Sequence, residues 1–199
     1  NCSWCENITD NSIKDLKLLT QLTCDGCKNI TDDRIKELKF LISLSCCFCQ
    51  NITDKCIISL TNLELLDCSN RESITDISVK ELKKLISLDC ALCAKITDMG
   101  IKNLQNLETL YCCGCKYITD IGIKELKNIK SFNCRCCENI TDSGIRELKN
   151  LTYLDCSWCE NITDTSIKEL KFLTRLICDG CKNISDKIYY DVEYRSMSY

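Results

Sequence analysis

Cysteine pairs of the form C-x-x-C recur along the chain, beginning with Cys2 and Cys5 in the stretch NCSWCENITD. This spacing is typical of zinc ligands and of redox dithiols, so the pairs could bind metal, carry electrons or simply pack. The chain of 199 residues has 21 cysteines and no histidine. Without histidine no Ser-His or Cys-His catalytic pair can form, so we expect a protein that is not an enzyme.

The cysteine pairs belong to a repeat with a strict period of 22 residues. The isoleucine of an I-T-D or I-S-D motif marks each unit, at Ile8, Ile30, Ile52, Ile74, Ile96, Ile118, Ile140, Ile162 and Ile184. The unit reads x-C-x-x-C-x-N-I-T-D-x-x-I-K-E-L-K-x-L-x-x-L. We number its positions from Asn1 and call each set of equivalent residues a column, so that the cysteines occupy columns 2 and 5.

Both cysteine columns are expected to point inward as reduced core thiols, because free cysteine behaves as a small, readily buried side chain. We therefore predict no cofactor and no metal, although zinc held between neighbouring units and disulfides stay open as alternatives. Zinc binding needs four ligands at positions that packing also needs. Disulfides need Cβ atoms that approach, whereas equivalent side chains in neighbouring parallel strands point the same way. Cys47 and Cys113, in column 3, should face outward and are predicted to be reactive or cross-linking thiols.

Arg71 interrupts the second cysteine column, where every other unit has cysteine. A buried, unpaired guanidinium is costly. We therefore expect Arg71 to reach solvent or to meet a carboxylate such as Glu72 or Asp67.

The elements that would carry these cysteines can be predicted within one unit. Apolar and polar residues alternate over 88–90, which predicts a short strand with one buried face. Asp98 is predicted to cap a short helix, along one side of which Ile101, Leu104 and Leu107 recur every three residues. One unit cannot enclose so much apolar surface, but stacked units can.

The pattern resembles the leucine-rich repeat superfamily, L-x-x-L-x-L-x-x-N/C-x-x-I, with cysteine in two of its positions. Residues 85–98 show it in full, and the C-x-x-I-T-D phrase resembles the cysteine-containing subtype of many F-box proteins, here with a 22-residue unit. The resemblance implies an α/β leucine-rich repeat solenoid of about nine 22-residue repeats. A parallel β-sheet would form its concave face and short helices its convex face. We predict a solenoid over 1–186 and a C-terminal cap and tail over 187–199.

The function that this fold implies is a non-catalytic protein–protein interaction module that binds a partner through its concave face. Columns that vary between units should face solvent there, and exposed aromatic residues and arginine are enriched at protein interfaces. The predicted partner-binding residues are Trp4, Asp67, Asp89, Tyr111, Arg135, Tyr153, Asp155, Trp158 and Arg175. The alternative for the tryptophans is that they only pack over glycines of neighbouring units.

Two further functions stay open. The segments 2–32 and 156–186 are nearly the same sequence seven units apart, so the protein could self-stack end to end as a structural subunit of a fibre or a virion-like particle. The resemblance to F-box proteins implies, instead, the substrate-recognition part of a ubiquitin-ligase adaptor.

Net charge and hydropathy limit the classes of partner that the sequence predicts. A net charge of −3 and the lack of a long apolar run predict neither a nucleic acid nor a membrane as partner. The localisation is unknown, with the cytoplasm favoured if the thiols are reduced. The repeat also creates N-glycosylation sequons in column 7, at Asn7, Asn29, Asn51, Asn139, Asn161 and Asn183, which a motif repeated in this way generates automatically.

Overall fold

In the computed structural model, which describes residues 1–196, eight short parallel strands form one sheet in which each strand pairs with its neighbour in sequence. Leucine or phenylalanine in column 22 occupies the middle of every strand and points into the core, whereas columns 21 and 1 lie on the opposite face. The strands are β1 (Gln21–Thr23), β2 (Ser43–Ser45), β3 (Leu65–Asp67), β4 (Ser87–Asp89), β5 (Thr109–Tyr111), β6 (Ser131–Asn133), β7 (Tyr153–Asp155) and β8 (Arg175–Ile177).

Short helices form a second row, on the other side of the stack from the strands. Each of the first eight is a single turn that starts at the aspartate of column 10. The helices are α1 (Asp10–Ile13), α2 (Asp32–Ile35), α3 (Asp54–Ile57), α4 (Asp76–Val79), α5 (Asp98–Ile101), α6 (Asp120–Ile123), α7 (Asp142–Ile145), α8 (Asp164–Ile167) and α9 (Asp186–Ser196). This arrangement confirms the predicted α/β solenoid.

The helices are shorter than the sequence pattern predicts. Ile101 ends α5, while Leu104 and Leu107 lie in the turns that follow it. Main-chain bonds from Leu104 N to Ile101 O (2.9 Å) and from Leu107 N to Leu104 O (3.0 Å) show that the three-residue period comes from successive turns. All three side chains are still fully buried, so the predicted core positions are right although the element is not.

The prediction that aspartate caps each helix is wrong, because threonine of column 9 does so. Thr97 has an extended backbone, and its hydroxyl accepts a hydrogen bond from Met99 N (3.2 Å). The Asp98 carboxylate instead reaches the next unit, where it accepts from Thr119 N and from Thr119 Oγ1, both at 2.7 Å. The same pair of bonds joins every two successive units, so column 10 ties the stack together.

Helix α9 is longer than the others and packs against β8. Ile188 and Val192 of this helix are buried, which continues the apolar core past the last strand. The division into a solenoid over 1–186 and a cap and tail over 187–199 stays a prediction, and residues 197–199 of that tail lie outside the described residues.

Candidate functional site

The cysteines of column 5 after the first unit point into the core and donate hydrogen bonds to main-chain carbonyls of the preceding unit. Cys93 Sγ, for example, lies 3.0 Å from Cys68 O, and Cys115 Sγ lies 3.0 Å from Cys90 O. The equivalent bond, at 2.9–3.1 Å, recurs for Cys27, Cys49, Cys137, Cys159 and Cys181. These thiols therefore act as weak donors that satisfy carbonyls between stacked units.

The cysteines of column 2 face the following unit in a similar way. Their Sγ atoms lie 3.4–3.6 Å from carbonyls of the next strand at Cys2, Cys24, Cys46, Cys68 and Cys112. Burial raises the pKa of Cys46 and of Cys134, which keeps both thiols protonated and unreactive. All 21 cysteines lie within the described residues and are free thiols. Among residues 1–196, no group of three or more metal-ligating side chains comes together.

Arg71 is buried, contrary to the expectation that it reaches solvent or a carboxylate. Only 5% of it is exposed, and its Nη2 donates to Ile52 O and to Ser73 Oγ, both at 2.7 Å. Its Nε has no hydrogen-bond partner. The serine at position 73 replaces the usual column-7 asparagine. Arg71 and Ser73 both donate to Ile52 O, whereas cysteine and asparagine of other units donate to the column-2 and column-6 carbonyls of the preceding unit.

The exposed thiols are not the ones that the sequence predicts. Cys47 is buried, and its Sγ donates to Asp67 Oδ1 (2.8 Å); burial followed by this bond raises the pKa of Cys47 to about 12. Cys113 is half-buried, and burial raises its pKa as well. Cys5 and Cys136 are exposed instead, and Cys136 lies beside Trp158 in a shallow depression. Cys136 lies in column 4, the column of the predicted interface residues Trp4 and Trp158, so its exposure agrees with the outward direction expected for that column.

We define the strand face as columns 21, 1 and 3. In its N-terminal half, the polar side chains form hydrogen bonds to one another. Asp25 accepts from Ser45 Oγ (2.6 Å) and from Cys47 N (3.0 Å), both of the next unit. Asp67 accepts from Cys47 and from Ser69 N (3.1 Å). The acceptor capacity of these carboxylates is partly used within the protein, so they are less available to a partner than the sequence suggests.

Two more aspartates that were predicted to bind a partner are less exposed to solvent than expected. Asp155 is only 7% exposed, because its carboxylate accepts from Ser157 N (3.0 Å), Ser157 Oγ (2.7 Å) and Asn133 Nδ2 (3.2 Å). The expectation that Asp155 faces solvent is therefore wrong. Asp89 is half-buried beside Asp67, its register partner, and burial raises its pKa.

The C-terminal half of the strand face carries the aromatic and basic residues. Arg135 and Arg175 are exposed, and Tyr111 and Tyr153 are half-buried. The Arg175 guanidinium lies 5.6 Å from the centre of the Tyr153 ring, on the neighbouring strand. Cation–π contact of this kind contributes about 0.5–1 kcal/mol at an exposed site.

The two tryptophans lie outside the strands, in the turn that follows them. Trp4 and Trp158 both have left-handed backbones (φ 62° and 63°) and are exposed. Each indole covers the glycine of the next unit: a Cβ on Gly180 would lie 2.7 Å from Trp158 Cε3, and one on Gly26 would clash with Trp4. The packing alternative for the tryptophans is thus observed, although their outer faces stay open to solvent.

Comparisons with solved structures show which proteins share this architecture. Rad7 from yeast, solved in complex with Elc1, matches with a TM-score of 0.67 and 18% identity over 92% of this chain and 63% of its own. Leptospira interrogans LRR protein LIC12759 matches with a TM-score of 0.67 and 25% identity over 87% of this chain and 46% of its own. Internalin C2 from Listeria monocytogenes matches with a TM-score of 0.64 and 24% identity over 90% of this chain and 77% of its own.

The chain thus spans less than two thirds of the length of the first two structures. The sequence matches no protein-family model and no curated protein. Within the described part of the chain, no helix has the length and apolar character needed to cross a membrane.

Proposed function

The chain has the leucine-rich repeat fold, and on this premise we propose that it is a non-catalytic module that binds a protein partner through its strand face. The neighbouring structures support an interaction role, since one of them is a chain solved with a bound protein. In this proposal the partner contacts the C-terminal half of the strand face, where Tyr111, Arg135, Tyr153 and Arg175 lie.

The observation that carries the proposal is the pair formed by Tyr153 and Arg175, with the guanidinium 5.6 Å from the ring centre. Tyrosine and arginine dominate binding energy at protein interfaces when they lie near the centre of the contact. Here the pairing orders both side chains in the free protein, which lowers the entropy cost of binding. Neither residue belongs to the core, because the buried side chain of β7 is Leu154 and that of β8 is Leu176.

The test removes these side chains without disturbing the stack. Purified wild type and a Tyr153→Ala, Arg175→Ala variant are immobilised and used to capture proteins from the source cells, and each captured protein is then produced pure and its Kd measured. We expect the affinity of the genuine partner to fall by at least about tenfold in the variant. The thermal unfolding midpoint should stay close to that of wild type.

A matched control is Lys149→Ala, Lys171→Ala, which removes two exposed side chains on the helix side. The control should bind as tightly as wild type. Equal affinity of wild type and the strand-face variant for every captured protein would contradict the proposal.

Two other functions are less well supported. End-to-end stacking would pair β8 with a second copy, but α9 packs against β8 and would have to move first. The adaptor function is suggested only by the subtype resemblance, and the complex of Rad7 with Elc1 is a property of Rad7.

A further inference from the structure

Repeats four to six differ from all others on the helix side of the stack. Column 11, the second residue of each short helix, carries Ile77, Met99 and Ile121, which are 59%, 57% and 62% exposed. In the remaining one-turn helices this column is polar: Asn11, Asp33, Lys55, Ser143 and Thr165. The same three repeats also lack the asparagine of column 7 and carry Ser73, Lys95 and Tyr117 instead.

Columns 7 and 11 lie side by side in the fold. One shallow depression is lined by Asp33, Asn51 and Lys55, which are a column-7 residue and the column-11 residues of two successive units. Three units further along, the equivalent residues are Met99, Tyr117 and Ile121. We call Ile77, Met99, Tyr117 and Ile121 the middle strip.

Main-chain hydrogen bonds join successive units beside the middle strip. Asp76 N donates to Lys95 O (3.4 Å), and Asp98 N donates to Tyr117 O (3.2 Å). Strand pairing spaces the units about 4.8 Å apart in the sheet, and these bonds keep successive units adjacent beside column 11 as well. The pitch of an α-helix, about 5.4 Å per turn, nearly matches this spacing.

The middle strip contributes nothing to the core. The buried positions of each short helix are columns 12 and 13, for example Gly100 and Ile101 in α5. Repeats with asparagine, aspartate or lysine in column 11 have the same backbone, so the fold does not require an apolar residue there. Exposed apolar residues at the equivalent position of three successive repeats form a patch of the kind that is typical of interaction sites.

The border of the middle strip is basic. In repeat two, Lys36 forms an ion pair with the column-11 residue Asp33 (2.6 Å). At the corresponding positions of repeats four to six, Lys80, Lys102 and Lys124 follow an apolar column-11 residue at the same spacing of three residues. None of these three lysines forms an ion pair with another described residue. The strip is therefore an apolar ridge with free positive charge along its side.

We propose that the middle strip docks an amphipathic helix of a partner protein whose apolar side is bordered by aspartate and glutamate. The partner helix lies along the stack, so that one of its turns meets each repeat. Its apolar side chains cover Ile77, Met99 and Ile121, and its carboxylates pair with the lysines of column 14. This surface is separate from the strand face, and binding to one does not require the other.

The test uses a fluorescein-labelled synthetic helical peptide with leucine at every third or fourth position and glutamate on both sides of the leucines. Fluorescence polarisation measures its Kd for the full chain. The main variant is Ile77→Asn, Met99→Asp, Ile121→Lys, which installs the residues that repeats one to three carry in the same column. We expect saturable binding to wild type and at least about a tenfold weaker Kd for this variant.

A second variant, Lys80→Glu, Lys102→Glu, Lys124→Glu, tests the charge of the strip and changes only side chains at its border. It should reverse the preference, so that a peptide with lysine in place of glutamate binds better. The strand-face variant Tyr153→Ala, Arg175→Ala should bind the acidic peptide as wild type does.

Several results would overturn the proposal. One is that the acidic peptide shows no saturable binding to wild type. Another is that the Ile77→Asn, Met99→Asp, Ile121→Lys variant (the Asn-Asp-Lys variant) binds the peptide as tightly as wild type. A third is that the charge-reversal variant still prefers the acidic peptide. Loss of binding in the strand-face variant would also overturn it. Conversion of a dimer to a monomer by the Asn-Asp-Lys variant would show that a second copy of this chain occupies the strip, and would overturn it too.

Discussion

Replacement of Asp98 by alanine should destabilise the stack markedly, because this carboxylate joins two repeats. It accepts from Thr119 N and from Thr119 Oγ1, both at 2.7 Å. A hydrogen bond to a charged group contributes about 1.5–3 kcal/mol, and the threonine hydroxyl, being half-buried, can turn to water after the change. The loss therefore comes mainly from the amide, and we expect the free energy of unfolding to fall by about 2–3 kcal/mol.

The assay is thermal unfolding, monitored by circular dichroism. For a chain of this size, 1 kcal/mol corresponds to roughly 2–4 °C, so the midpoint should fall by roughly 4–12 °C. The matched control is Asp33→Ala, which removes an exposed aspartate one position later in the unit. It should lower the midpoint much less, because it loses only an exposed ion pair with Lys36. A shift no larger than that of the control would refute the role assigned to column 10.

Three other changes test separate features of the structure. Leu104→Ala should lower the free energy of unfolding by about 2–5 kcal/mol, since the side chain is fully buried; urea unfolding measures this. Burial raises the pKa of Asp89, so its ionised form destabilises the fold above its unfolded pKa of about 3.9. Asp89→Asn should therefore raise the midpoint at pH 7 and lose this gain below about pH 3.9. Iodoacetamide should label Cys136 in the native protein before it labels Cys47, as peptide mass spectrometry would show.

The repeat period, together with the resemblance to leucine-rich repeats, predicted most of the fold. Stacking of 22-residue units places equivalent residues side by side, and the registers Leu22↔Leu44 and Leu88↔Leu110 agree with this. The helix was predicted too long because a three-residue apolar period is common to a helix and to successive turns, as at Leu104.

Side-chain partners between repeats could not be predicted from the pattern of one unit. Aspartate before a helix is a common cap, and only the structure shows that the threonine before it does this instead and frees Asp98 to bind Thr119. The burial of Cys47 and Asp155 has the same origin, because neighbouring polar residues enclose both side chains.

The middle strip has a signal in the sequence, because Ile77, Met99 and Ile121 are apolar in a column that is otherwise polar. This signal lies in a variable column, whereas the core is predicted from the invariant ones. Only exposure in the structure separates them from core residues of similar type. The free lysines beside them could not be recognised without the ion pair of Lys36 with Asp33 for comparison.

Site-specific photocrosslinking tests the claim that the strand face binds a partner most directly. Benzoylphenylalanine replaces Tyr111, Tyr153 or, as the helix-side control, Lys149, and each protein is irradiated in extract of the source cells. The account predicts that positions 111 and 153 crosslink to the same protein and that position 149 does not. Crosslinking of that protein from position 149 alone would contradict it.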